Sequence, residues 1–197
     1  MGRLGAVMLA GLMLGGCAAV PGFGPAPVDA YDVGVPALSE GGRRLPYRQV
    51  LVPEPSALKV LDGQNIVIRG RDGSVQYLGG ARWSDRLPKV VQERLIEAYQ
   101  ESERLGGVGR PGEGLAIDYQ VIVDLRAFEV RVNGGDHAYV ELFARVLNDR
   151  NGVVRASRDF SATVPVGGKG TADFIAALDR AFRAAAADIV DWSISVM

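Results

Sequence analysis

Scarcity defines this chain before any motif does. It holds one cysteine and one histidine in 197 residues. A lone cysteine excludes an internal disulfide, so Cys17 needs another explanation if the protein is exported. A single imidazole, without further cysteines or a carboxylate–histidine cluster, cannot make an ordinary zinc site. A serine triad would have to use His137, yet no Gly-x-Ser-x-Gly stretch exists to present the nucleophile. Charge of one sign is missing too: 22 Lys and Arg stand against 23 Asp and Glu, for a net charge of −1. Such a balance lacks the clustered basic face that nucleic acid requires. Nor does any apolar run reach the roughly 20 residues that cross a bilayer. These absences predict a protein that is not an enzyme, with no cofactor, no metal and no nucleic-acid partner.

Two glycine-rich stretches imitate nucleotide sites. Gly107-Val108-Gly109-Arg110-Pro111-Gly112 spells G-x-G-x-x-G, but that fingerprint works between a strand and a following helix, where the phosphate meets the helix N-terminus. Here it follows a helical pattern and precedes a strand, with Pro111 inside it. Gly167-Gly168-Lys169-Gly170-Thr171 resembles a phosphate loop only by composition. Thr163 stands where the upstream glycine belongs, and Gly170 separates Lys169 from Thr171.

What is present begins at the N-terminus. Met1-Gly2-Arg3 is a short positive region, Leu4 to Met13 is apolar, and Leu14-Gly15-Gly16 precedes Cys17, the order of parts in a secretory leader. Leu-Gly-Gly-Cys resembles the lipobox of bacterial lipoproteins. The resemblance implies that residues 1–16 are removed and that Cys17 becomes an acylated N-terminus. A single acyl chain, at ~0.8 kcal/mol per buried CH₂, binds a membrane only marginally; the diacylglycerol and amide-linked chain of a lipoprotein would hold it effectively permanently. Ala18, rather than Asp, follows the cysteine, which in enteric-type sorting favours the outer membrane and its periplasmic face. Residues 17–28 then form a tether rich in Pro and Gly, with a reach of ~30 to 40 Å. With 48% hydrophobic residues, residues 29–197 suffice for one globular domain with a real core.

Within that domain, periodicity predicts an α+β fold. Tyr31, Val33 and Val35 alternate up to Pro36, Val50 to Val52 and Ile66 to Ile68 are short apolar runs, and Asp72-Gly73 turns the chain towards Val75 and Tyr77. Leu87, Val91, Leu95 and Ala98 fall at helical spacing. Ser84, Asp85 and Leu87 compete to cap that helix, Pro88 sits in its first turn, and Gly106-Gly107 is expected to stop it. The longest strand carries apolar residues at odd positions from Leu115 to Ala127 and at even positions from Phe128 to Val132. That switch of phase predicts a β-bulge near Ala127-Phe128. Turns at Gly134-Gly135-Asp136 and Asn151-Gly152 fold two more strands back, Ala138 to Val146 and Val154 to Val164, into an antiparallel meander. Thr171 is expected to cap a second helix whose stripe is Phe174, Leu178, Phe182, Ala185 and Ile189. The whole reads as an antiparallel or mixed sheet with two amphipathic helices packed mainly on one face.

Trp83, just before the first helix, has two readings: a staple that packs the helix entry on the sheet, or an anchor facing a partner. Tyr31 in the first strand, the stretch from Tyr77 through Trp83 and Leu87-Pro88 to Ser102, the strand from Ile117 to Val130, the hairpins and the Ala-rich last helix resemble the ABC-type transport auxiliary lipoprotein family, that of the paraquat-inducible protein C lipoproteins. The resemblance covers Asp29 to the C-terminus and includes the lipobox. It implies a non-catalytic outer-membrane lipoprotein that serves an MCE-type lipid transporter whose permease and ATPase lie in the inner membrane. Docking or completing the periplasmic path fits better than shuttling, since no lipid cavity is legible, and a homo-oligomer is compatible with that role. Tyr77, Trp83, Leu87 and Pro88 are the candidate partner-binding or structural residues, and Cys17 the candidate lipidation site. Two other functions stay open: an envelope assembly-factor or scaffold lipoprotein, and a periplasmic enzyme.

Overall fold

The computed structural model describes residues 27–132 and 134–197. The expected leader, Cys17 and the expected tether up to residue 26 lie outside the described residues. In chain order the elements are β1 (Asp29–Tyr31), β2 (Leu45–Leu51), β3 (Ser56–Ala57), β4 (Asn65–Gly70), β5 (Val75–Trp83), α1 (Leu87–Glu101), β6 (Leu105–Gly109), β7 (Tyr119–Val132), β8 (Asp136–Asn148), β9 (Val153–Pro165) and α2 (Thr171–Val196).

β7 is the trunk of one mixed sheet. Along one edge it pairs antiparallel with β8, which pairs with β9, giving the expected meander. Its other edge is shared by three short parallel segments: β2 at Tyr119 and Gln120, β3 at Asp124 and Leu125, and β4 at Glu129 to Val132. The sheet therefore forks into two branches. One continues from β4 to antiparallel β5 and then to β1, which lies parallel to β5; the other continues from β2 to parallel β6.

The phase switch in β7 has the expected cause. Leu125 lies opposite Leu142 and Ala127 opposite Glu141, so Arg126 is the extra residue of a bulge. It lies one residue before the expected site. The bulge hands the inward face from Val121, Val123 and Leu125 to Phe128 and Val130, all of them buried. Without it, every side chain after Leu125 would turn to the wrong side.

Helix ends differ from the sequence expectation. Arg86 occupies the N-cap of α1 with no side-chain cap bond, because Ser84 Oγ donates to Asp32 and the Asp85 carboxylate accepts from the Arg86 N–H instead. Pro88 sits in the first turn, where a missing N–H costs nothing. The helix stops at Glu101, not at Gly106-Gly107, and Glu103 reverses the chain at φ 51°. The two glycines belong to β6. A Cβ on Gly106 would lie 2.4 Å from the Pro46 carbonyl oxygen, so only glycine lets β6 come so close to β2. Gly170, rather than Thr171, is the N-cap of α2, and the Asp173 carboxylate accepts its N–H at 3.0 Å.

α2 has 26 residues, so it runs ~39 Å, about as long as the 13-residue strands β8 and β9 beneath it. Ala177, Leu178, Ala181, Phe182, Ala185 and Ile189 are buried along it, facing a β8 surface of Ala138, Val140, Leu142, Ala144 and Val146 that is sealed from water. The alanines allow close approach where Phe182 and Ile189 fill volume. α1 joins the same core. The buried Tyr99 hydroxyl and Ser193 Oγ are 2.6 Å apart, tying α1 to α2, and Gln92 Nε2 donates to the Val52 carbonyl at 2.9 Å. Burial pushes the Tyr99 phenol above its ordinary pKa, so it stays a neutral partner. The fold is α+β, with an open mixed sheet and two helices sharing one core.

Candidate docking surfaces

The four residues singled out around the entry to α1 separate. Trp83 is fully buried and meets Phe128 edge-on, with ring centroids 5.4 Å apart and an 85° interplanar angle; Phe128 in turn lies 5.9 Å from Phe182 of α2. This aromatic run joins the β5 branch, the trunk and the last helix. Leu87 and Pro88 are buried at the start of α1. Tyr77 stands elsewhere, 52% exposed and opposite Val67 on the sheet face away from the helices.

That outer face is polar, aromatic and almost wholly self-paired. Glu129 points outward yet is only 1% exposed, because Arg69 Nε at 2.7 Å and Arg131 Nε at 2.8 Å close over its carboxylate. Arg131 stacks 3.7 Å above the Tyr139 ring, and the Tyr139 hydroxyl donates to Glu141 at 2.8 Å. Glu141 and Asp159 both pair with Arg126, the bulge residue, which lies 4.3 Å over Phe143. Arg145 approaches Phe143 from 5.7 Å and pairs with Asp124. Stacked guanidinium and ring faces attract through the ring quadrupole. A row of cations thus covers aromatic surface while each keeps a carboxylate.

A second polar cluster sits where β7 begins. Asp118, 5% exposed, accepts from Arg48 Nη1 at 3.0 Å, Arg150 Nη2 at 2.7 Å and the Gln49 N–H at 3.0 Å. Its own N–H donates to the Gln49 carbonyl, and its carbonyl accepts from Asp149 N–H, both at 2.9 Å. One residue therefore joins β2, β7 and the β8–β9 turn. Burial is the largest influence on the Asp118 carboxyl and acts to raise its pKa. The Gln49 and Arg48 hydrogen bonds and the Arg150 and Arg48 charges together outweigh it and hold the group below the usual carboxylate range. Nothing in local spacing marks this cluster.

His137 Nδ1 lies 2.9 Å from the Gly135 carbonyl at a turn, and among the described residues no three His, Cys, Asp or Glu side chains converge as metal ligands would. A surface depression of about 490 Å³ opens at the fork of the sheet between Ser56, Ala57, Leu58, Asp124, Leu125 and Arg126. Among the described residues no helix is long and apolar enough to cross a membrane.

Known proteins share this arrangement. The crystal structure of protein XCC0632 from Xanthomonas campestris superposes with a TM-score of 0.80 at 26% identity, over 86% of this chain and 96% of that one. The hypothetical protein CT253 from Chlamydia trachomatis shares the fold alone, with a TM-score of 0.54 at 7% identity over 76% of this chain and 97% of that one. The Bradyrhizobium diazoefficiens protein bll6063 is 28% identical over 176 residues, which is 88% of this chain. The chain spans 47% of that relative's length. The model of the ABC-type transport auxiliary lipoprotein component matches residues 32–190, from the end of β1 to the last turns of α2. The chain belongs to that family.

Proposed function

We propose that this protein is a non-catalytic lipoprotein, anchored through Cys17 in the periplasmic leaflet of the outer membrane, that serves an ABC transporter moving lipid between the two membranes. Its direct partner would be the transporter's periplasmic MCE-domain protein and, through it, the permease and ATPase. Residues 1–16 act as the leader and residues 17–28 as the tether. The observation that carries this reading is the family match across 32–190 together with Leu14-Gly15-Gly16-Cys17 upstream of it. Physically, a folded module without a catalytic constellation, held on a tether of ~30 to 40 Å, acts by meeting something within reach. Docking onto the transporter, or completing its path at the outer membrane, is the form of action that needs only surfaces.

Two measurements test this. Labelled palmitate should enter the wild-type protein and not Cys17→Ala. Crosslinked pull-down from whole envelopes should recover an MCE-domain protein; recovery of envelope assembly machinery without any MCE protein would refute the transport role.

A further inference from the structure

We propose that the end of the sheet where β7 begins is the docking surface for the transporter's periplasmic subunit, and that it receives an acidic, apolar-tipped segment of that partner. The proposal rests on the functional reading above and adds which surface performs it. Three observations converge there.

Charge is the first. Asp118 is shared by the Arg48 and Arg150 guanidinia, whose side chains remain 45% and 71% exposed. One carboxylate facing two cations leaves a positive charge over. Among the described residues, Arg43 and Arg44 on the same segment bond only the carbonyls of Ser195 and Glu103, each at 3.0 Å. Among the described residues neither forms a salt bridge. Guanidinium forks held in place by a buried carboxylate are prepared to take further carboxylates in bidentate geometry.

Shape is the second. From Leu45 opposite Leu105 to Gln49 opposite Gly107, β2 spends four residues where β6 spends two. The surplus throws Pro46, Tyr47 and Arg48 outward and leaves Tyr47 92% exposed. On the other side of Arg150, Val153 is 54% exposed and Val154 49%. An exposed tyrosine beside fixed arginines is the composition of an interface anchor.

Direction is the third. β1 runs parallel to β5, which starts at the Asp72-Gly73 turn, so the chain enters the domain from that end. β7 starts at the opposite end, since it runs parallel to β4 and β4 leads into the turn. A lipid anchor upstream of β1 places Tyr47 and Arg150 at the end away from the point of entry. That favours a protein partner over the bilayer that holds the anchor.

The test uses the full-length acylated protein in envelopes that contain the MCE-domain subunit. A photo-crosslinking residue replacing Tyr47 should form an adduct with that subunit, and one replacing Val75, at the opposite end, should not. An adduct with lipid or with a second copy of this chain at position 47 overturns the proposal. Tyr47→Ser with Arg150→Glu should weaken subunit binding at least tenfold, about the loss expected for an anchor pair. Arg150→Glu also removes a partner of the buried Asp118 and should lower the melting temperature, so Tyr47→Ser alone, at a side chain 92% exposed, is the control that should weaken binding at a wild-type melting temperature. Wild-type binding that survives in the double variant removes the proposal alone; absence of wild-type binding removes the functional reading and the proposal with it.

Discussion

The two faces of one sheet solve opposite problems with the same strands. On the inner face, β7 and β8 present Val121, Val123, Phe128, Val130, Val140 and Leu142, and two helices exclude water from all of them. On the outer face no helix among the described residues covers the strands, and Glu129, Arg131, Tyr139, Glu141, Arg126 and Phe143 cover one another. Stability on the inner face comes from apolar area removed from water, at about 25 cal/mol per Å². Its counterpart outside rests on charge pairs that are worth little when exposed and are costly to break when one member is buried. The bulge at Arg126 makes both possible. It turns Phe128 inward and, on the outside, sends a cation across Phe143 to two carboxylates.

If the inner face carries the fold, its aromatic run is where the largest loss lies. Trp83→Ala should lower unfolding free energy by about 3 to 5 kcal/mol in urea titration, since it empties a site against Phe128 that nothing else can fill. Trp83→Phe should lose far less, because an aromatic ring still meets Phe128 and, among the described residues, the Trp83 Nε1 has no hydrogen-bond partner to forfeit. Near-wild-type stability of Trp83→Ala would end the reading of Trp83 as core. On the outer face the sharpest probe is Glu129. Removing its carboxylate leaves Arg69 and Arg131 facing each other unpaired, although both are about a third exposed and partly screened. Glu129→Ala should therefore cost about 2 to 3 kcal/mol, below the loss for a fully buried pair. A value near zero would mean that the outer face is only a solvated surface.

How much of this was legible depends on whether a residue's role is local. The alternation along Tyr119 to Val132 and Ala138 to Val146 could be read because one sealed face and one polar face repeat every second residue. The bulge was legible for the same reason, as a break in that repeat. β6 was not: Leu105 to Gly109 is glycine-rich because the Pro46 carbonyl crowds Gly106, a constraint imposed from 60 residues away in sequence. Sharing of one β7 edge by β2, β3 and β4 is likewise a tertiary fact, and β3 has only 2 residues with which to signal it. The Asp118 cluster escaped for the plainest reason. Arg48 and Arg150 lie 70 and 32 residues from it, so no spacing rule could connect them. Trp83 was recognisable as important, but its burial depends on Phe128 and Phe182, which meet it only in the fold.

Asp118 belongs to neither face, since it closes the end of the sheet, and pH separates its contribution from theirs. Its folded pKa lies below the unfolded value. The stability it confers is therefore complete above the unfolded pKa of about 3.9 and is lost as pH falls through the folded value. Asp118→Asn should cost about 1 to 2 kcal/mol at pH 7, and the gap to wild type should narrow steadily as denaturation is repeated from pH 5 towards pH 2. A gap independent of pH would assign the loss to packing.

The smallest effect is the one that decides what the outer face is built from. Asp159 pairs with Arg126 at the outer rim, but its side chain is 59% exposed and Arg126 keeps both Glu141 and the Phe143 ring without it. Asp159→Ala should therefore change stability by at most about 0.5 kcal/mol, and it should do so less at high salt, where an exposed pair is screened. A loss of 2 kcal/mol or more would mean that the row from Glu129 to Asp159 behaves as one coupled unit. The contrast between a cooperative inner face and an outer face of separable pairs would then disappear.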